Sequence, residues 1–265
     1  MNRSCRGWAT QYKLKSPRLR NAFFLLLWPL CNLQRVYSML YGRKRDDRKL
    51  MTIRVLIKKT LFSLLSTWLI VRVSRKDRRI ALTFDDGPDP LFTPSVLLLL
   101  KESRAKATFF LLGSKVDSFP DLARQIVDEG HEIASHSFEH HPLKGKSYTE
   151  LTEELGRADT SLKPFCNGNA PLLRPPYGTV SISLLVWAWR HRRKIVLWSL
   201  DPEDFCAENV LEPLRFFKEH PIAPGDIILL HDQSNITVDL LETLLPELQK
   251  DGFQMVSVTD LLEGK

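Results

Sequence analysis

From Ile80 onward, short apolar runs alternate with amphipathic stretches, and this alternation limits the chain to few architectures. It is the pattern of successive βα units around a mostly parallel sheet. The predicted strands are Ile80 to Phe84, Ala107 to Leu112, Glu132 to Ser135, Pro171 to Arg174, Ile195 to Leu200, Asp226 to Leu230 and Gln254 to Val258. Between them the period turns helical, as in Tyr148 to Pro164. There Leu151, Leu155, Ala158 and Leu162 share a face, and Ser147 with Glu150 forms a capping box. An apolar content of 43% supplies the core of one large domain.

Polar residues fall at the C-terminal ends of these strands. Asp85 and Asp86 follow the first, His136 the third, Arg174 the fourth, Asp201 and Asp204 the fifth, and His231 the sixth. In a parallel α/β barrel those ends gather at one face, where such folds carry their chemistry.

Two adjacent aspartates raise one another's pKa unless a cation or an arginine lies between them. Asp85-Asp86-Gly87-Pro88 is also ordinary turn chemistry, and both readings stand at this level. His136 and His140, four apart in HSFEH, meet on one side if the segment makes a helical turn, and with an aspartate they form a two-histidine, one-carboxylate metal set. Zinc is the default ion for such a set, although other divalent ions fit it. A divalent ion brings the pKa of a held water towards ~7, and a base must still take the proton. His231 ends an apolar run and suits the protonation of a leaving amine, or a purely structural role. Asp204 could hold such an imidazole in its acid form, and Arg174 could hold Asp85 ionised. RPPYG, residues 174–178, reads either as a rigid loop or as one that presents the Tyr177 N–H to an oxyanion.

Charge divides the chain. Residues 1–80 carry 20 Lys+Arg against 3 Asp+Glu, whereas residues 81–265 carry 18 against 28. The basic half also holds two apolar runs, Ala22 to Cys31 and Leu61 to Val71, both too short for a clean span and the first broken by Pro29. Basic flanks on short apolar stretches fit a membrane surface, not a nucleic acid. By the positive-inside tendency the domain from Ile80 onward is expected on the cytoplasmic face; a start at Met51 would make an uncleaved signal anchor and place it outside. Cys5, Cys31, Cys166 and Cys206 show no pairing pattern.

In sequence and order, TFDDGP, HSFEH, RPPYG, DPEDF and ILLHD resemble the five motifs of the polysaccharide deacetylases, the NodB homology domain of carbohydrate esterase family 4. The resemblance covers residues 78 to 262 and leaves 1–77 as a basic, membrane-associating extension. It implies a distorted (β/α) barrel of about seven strands with a divalent metal at its mouth, most simply zinc. The implied activity is hydrolysis of N-acetyl or other N-acyl groups on amino sugars of a polysaccharide, oligosaccharide or glycolipid. A deformylase or deacetylase of a lipid-linked amino sugar, or a non-catalytic saccharide-binding barrel, are the alternatives. By motif, Asp85 is the implied general base, Asp86, His136 and His140 the metal ligands, and His231 the general acid. Arg174 would position Asp85, Tyr177 would supply the oxyanion N–H, and Asp204 would tune His231; Asp201 is the other aspartate of its motif. Phe205 stands where the fourth motif commonly has Trp.

Overall fold

The computed structural model describes residues 68–166 and 171–264. Both apolar N-terminal runs, except the end of the second, lie outside the described residues, as do Met51, Cys5 and Cys31. The strands are β1 (Leu69–Ile70), β2 (Arg79–Asp85), β3 (Ala107–Leu111), β4 (Glu132–Ser135), β5 (Ile195–Val196), β6 (Ile227–His231) and β7 (Gln254–Met255). The helices are α1 (Thr93–Glu102), α2 (Gly113–Ser118), α3 (Pro120–Asp128), α4 (Tyr148–Leu162), α5 (Ile182–Arg190), α6 (Leu211–Glu219), α7 (Asn235–Lys250) and α8 (Val258–Glu263).

The ladder runs β4-β3-β2-β6, all parallel. Single bridges carry it onward from Ser135 to Leu173, from Leu173 to Ile195, and from Leu200 back to Ile228. The ring therefore closes as a distorted barrel, stitched on one side by bridges instead of long strands.

Strand alternation sorts the side chains. On β2, Ile80, Leu82 and Phe84 face the main core against α1, α3 and α7, while Ala81, Thr83 and Asp85 face the barrel interior. On β3, Phe109 and Leu111 go outward and Phe110 inward; on β6, Ile228 and Leu230 go outward and Ile227 inward. The same period sends Asp85 and His231 inward at the top, where they are paired register positions.

Three predicted strands are shorter than expected, each for a local reason. Pro171 to Arg174 reduces to a bridge at Leu173, because the prolines at 171, 175 and 176 bring no N–H and leave Leu173 and Arg174 to donate, to Lys194 and Ser135. Ile195 to Leu200 pairs only at Ile195–Val196 before the bridge at Leu200. The Arg174 guanidinium takes the intervening carbonyls, Nε donating to Val196 O at 3.2 Å and Nη2 to Leu197 O at 3.1 Å. Gln254 to Val258 stops at Met255, since Ser257 caps α8 by accepting from Asp260 N. Helix α4 keeps the capping box anticipated for it.

The fold also begins before residue 78. Ile195 N donates to Trp68 O and Leu197 N to Ile70 O, each at 2.7 Å, and Val73 N donates to Gly225 O at 2.9 Å. Ile70 and Val73 belong to the barrel interior cluster. Residues upstream of the expected boundary at 77/78 thus pair with the sheet: Leu69–Ile70, from the end of the apolar run Leu61 to Val71, form a parallel strand on β5. Their hydrophobicity serves burial in the sheet.

Candidate active site

The mouth of the barrel is assembled from loops that leave β2, β4 and β6 and from the segments after Leu173 and Leu200. Asp85 closes β2 and is buried; its Oδ1 accepts from Arg174 Nη1 at 2.6 Å. Adjacent residues of a strand point to opposite faces, so Asp86 would turn away from the mouth if β2 continued. Instead it adopts φ 70°, and its Oδ1 comes within 3.4 Å of Nε2 of both His136 and His140. The turn that follows needs Gly87, because a Cβ there would sit 2.5 Å from Oδ2 of buried Asp232. Burial pushes the Asp232 carboxyl up to about 7, and its Oδ2 accepts from Thr93 Oγ1. Turn and site, the two readings of this motif, are one object.

His136 and His140 are not on a helical turn, contrary to the expectation from their spacing. Ser137 has φ 73° and His140 φ 58°, and the rings still lie 5.0 Å apart. The loop holds this shape because the buried carboxylate of Glu154, on α4, accepts from Phe138 N (3.2 Å) and Glu139 N (3.5 Å), while Ser137 Oγ accepts from His140 N (3.1 Å). His136 Nδ1 donates to Arg174 O at 2.8 Å, which fixes the tautomer and leaves the Nε2 lone pair facing Asp86. Burial pushes the His136 pKa down to about 3, so the ring is neutral, the form a metal binds.

Asp86, His136 and His140 offer three ligand atoms within 4.8 Å of one another. Asp86 Oδ1 is buried and has no hydrogen-bond partner in the protein. An orphaned carboxylate oxygen between two imidazole nitrogens is unfavourable without a cation, so the donor set fits a divalent metal.

Arg174 lies fully buried in the barrel. Its Nη1 donates to Thr83 Oγ1 (2.8 Å) as well as to Asp85, and its guanidinium stacks 3.9 Å from the Phe110 ring centroid. Burial raises the pKa of Asp85, while Arg174 and, beyond it, His231 pull it back down. His231 Nδ1 donates to Asp204 Oδ1 at 2.9 Å; Asp204 Oδ2 accepts from His231 N and from Thr237 Oγ1. Burial alone would lower the His231 pKa. The hydrogen bond and charge of Asp204, with the carboxylates of Asp85 and Asp86, outweigh it and hold the imidazole at about 9. Asp201, nearby and raised to about 6 by burial, accepts from Glu203 N.

Tyr177 takes φ 60°, and its ring meets His140 edge-on at 4.6 Å. Gly178 follows with φ 61°, where a Cβ would press to 2.7 Å from Trp198. Phe205, 55% exposed, lies 4.9 Å from the His231 ring and forms an aromatic wall. Of the non-glycine residues with positive φ among those described, Asp86, His140 and Tyr177 meet in this mouth, and Ser137 lies in the loop that holds His140. Such backbone costs about 1 to 3 kcal/mol per residue and concentrates where geometry is imposed by function.

All eight predicted site residues thus converge. Sequence reasoning missed the residues that hold them: Glu154, Thr83, Thr237 and Gln233, whose Nε2 donates to Asp86 O at 2.9 Å. For Gln233 the one available signal was its position two residues after His231.

The sequence profile of the family described as polysaccharide deacetylase matches residues 72–190. A peptidoglycan-N-acetylglucosamine deacetylase of Bacillus cereus is 37% identical over 205 residues, covering 75% of this chain and 93% of that protein. A solved peptidoglycan N-acetylglucosamine deacetylase in complex with a substituted N-hydroxybenzamide superposes with a TM-score of 0.70 at 32% identity, over 76% of this chain and 95% of that one. A carbohydrate esterase family 4 pseudoenzyme from Bacillus anthracis superposes with a TM-score of 0.68 at 27% identity, over 73% of this chain and 68% of that one. With motifs, barrel and relatives in agreement, the chain belongs to the polysaccharide deacetylase family.

Proposed function

We propose that the protein is a metal-dependent hydrolase that removes N-acetyl groups from amino sugars of a glycan. The observation that carries this reading is a proton acceptor and a proton donor at paired positions of β2 and β6, beside a three-ligand metal set. Asp85, more basic than an ordinary carboxylate through burial and aligned by Arg174, accepts the proton of the attacking water. His231, charged at neutral pH and held through Nδ1 by Asp204, donates to the departing sugar amine from its other nitrogen. The Tyr177 N–H serves the oxyanion, in a loop fixed by two prolines and Gly178. Asp86, His136 and His140 would hold a divalent ion, zinc being the first choice for this donor set, and its chemistry there is Lewis acidity towards the acyl oxygen and the water.

The names of the relatives support an N-acetylated glycan as substrate, with peptidoglycan N-acetylglucosamine as the leading class. The basic, apolar sequence before Trp68 favours a second substrate reading, a lipid-linked amino sugar presented at the bilayer. Release of the protein from a membrane fraction by detergent but not by salt supports that version.

The decisive experiment measures metal content and acetate release from a chitooligosaccharide for the wild type, Asp85→Asn and His136→Ala. His136→Ala should lose metal and activity together; Asp85→Asn should keep metal and lose turnover. A wild type that binds metal and saccharide but releases no acetate from chitooligosaccharide or peptidoglycan would instead support the non-catalytic barrel.

A further inference from the structure

We propose that the outer face of α5 is a docking surface for an anionic lipid bilayer. Helix α5 already has a complete core face: Leu184, Leu185, Trp187 and Ala188 are buried against a cluster that includes Leu151 and Leu155 of α4. The fold therefore does not need Ile182, Val186 and Trp189, which are 63%, 41% and 57% exposed. Their spacing of four and three places them in one stripe along the outer side of the helix.

The rim of this stripe is basic and aromatic. Arg190, Arg192 and Lys194 are exposed beside it. The Tyr148 ring lies 5.7 Å from the Arg190 guanidinium, and its hydroxyl is 3.1 Å from Nε2 of His191. No Asp or Glu occurs between Arg174 and Asp201, within a region, 81–265, that carries ten more acids than Lys+Arg. Tryptophan, tyrosine and cations around an aliphatic stripe are the composition of an element lying in a membrane interface.

Charge selects the occupant. A second copy of the face would bring the same cations against these. Residues 1–67 of the chain carry 15 Lys+Arg against 2 Asp+Glu and would be repelled likewise. An anionic headgroup layer complements both. The inference is independent of the catalytic reading.

The test uses the full chain with vesicles of mixed phosphatidylglycerol and phosphatidylcholine, and with phosphatidylcholine alone as the charge control. Two variants are compared with wild type, Ile182→Ser/Val186→Ser/Trp189→Ser and Arg190→Gln/Arg192→Gln/Lys194→Gln. A cation near an anionic surface is worth roughly fivefold in affinity, so each variant should bind the mixed vesicles at least about tenfold more weakly. An unchanged melting temperature shows that the variants are folded, whatever the chain's activity. A second readout needs no triple variant: brominated lipid should quench wild-type emission more than that of Trp189→Phe. Equal vesicle binding by all three proteins, with no difference in quenching, overturns the proposal in favour of binding by residues 1–67 alone. A dimer in solution that the apolar variant dissociates, with no quenching of Trp189, overturns it in favour of an interface between copies.

Discussion

Asp85 stands in two structures at once, the catalytic mouth and the buried ion pair with Arg174. Asp85→Asn keeps the shape and the acceptor but not the charge. Turnover on a chitooligosaccharide should fall about 10²- to 10⁴-fold, the range for loss of a positioned base, with metal content unchanged. Steady-state rates beside metal analysis check this. In the proposed reaction His231, as the proton donor, carries the pH dependence. As a donor it must be charged, so activity declines as pH rises through its pKa, which the apoprotein holds at about 9. A cation between Asp86 and the histidines opposes the lift that Asp86 provides, so the alkaline limb of the loaded protein should lie at lower pH than the His231 pKa of the apoprotein. Asp204→Asn removes the largest raising influence and should move that limb to lower pH in a kcat profile.

At the scale of elements, α4 acts on the proposed metal site without touching it. Glu154→Ala leaves the N–H groups of Phe138 and Glu139 unpaired, and the loop that bends His140 back towards His136 relaxes. Outer partners of this kind are worth about 10- to 100-fold in metal affinity, and a competitive chelator titration should show a loss of that order. The strand positions and the convergence of Asp85, His136, Arg174 and His231 were legible in the sequence because period-2 alternation and strand-end placement are local properties. The positions of Asp86 and His140 were legible only as residue types. Their left-handed backbone and the buried Glu154 depend on tertiary contacts that spacing does not encode. The shortened fifth strand has the same origin: nothing in Ile195 to Leu200 announces that a guanidinium from residue 174 will take the carbonyls of Val196 and Leu197.

For the whole molecule, the edge of the fold lies further upstream than the motifs indicate. A chain beginning at residue 78 would lose the bonds that Trp68, Ile70 and Val73 make to Ile195, Leu197 and Gly225, together with the burial of Ile70. At about 1 kcal/mol per bond and roughly 2 for the side chain, the loss is about 5 kcal/mol. For a domain of this size that lowers the melting temperature by at least ~10 °C relative to a chain beginning at residue 68, which calorimetry on the two would show. The sequence offered no cue here, since Leu69 and Ile70 sit inside an apolar run whose flanks are basic.

Arg174 also governs the order in which this site could decay. His140, 27% exposed, sits in a loop and could be replaced with little strain on the barrel. Asp85 offers no such freedom, because without it a fully enclosed cation loses its counter-charge, a defect of about 3 to 5 kcal/mol. A descendant that abandoned the reaction would therefore be expected to lose His140 early and to keep Asp85 long after it had nothing left to deprotonate.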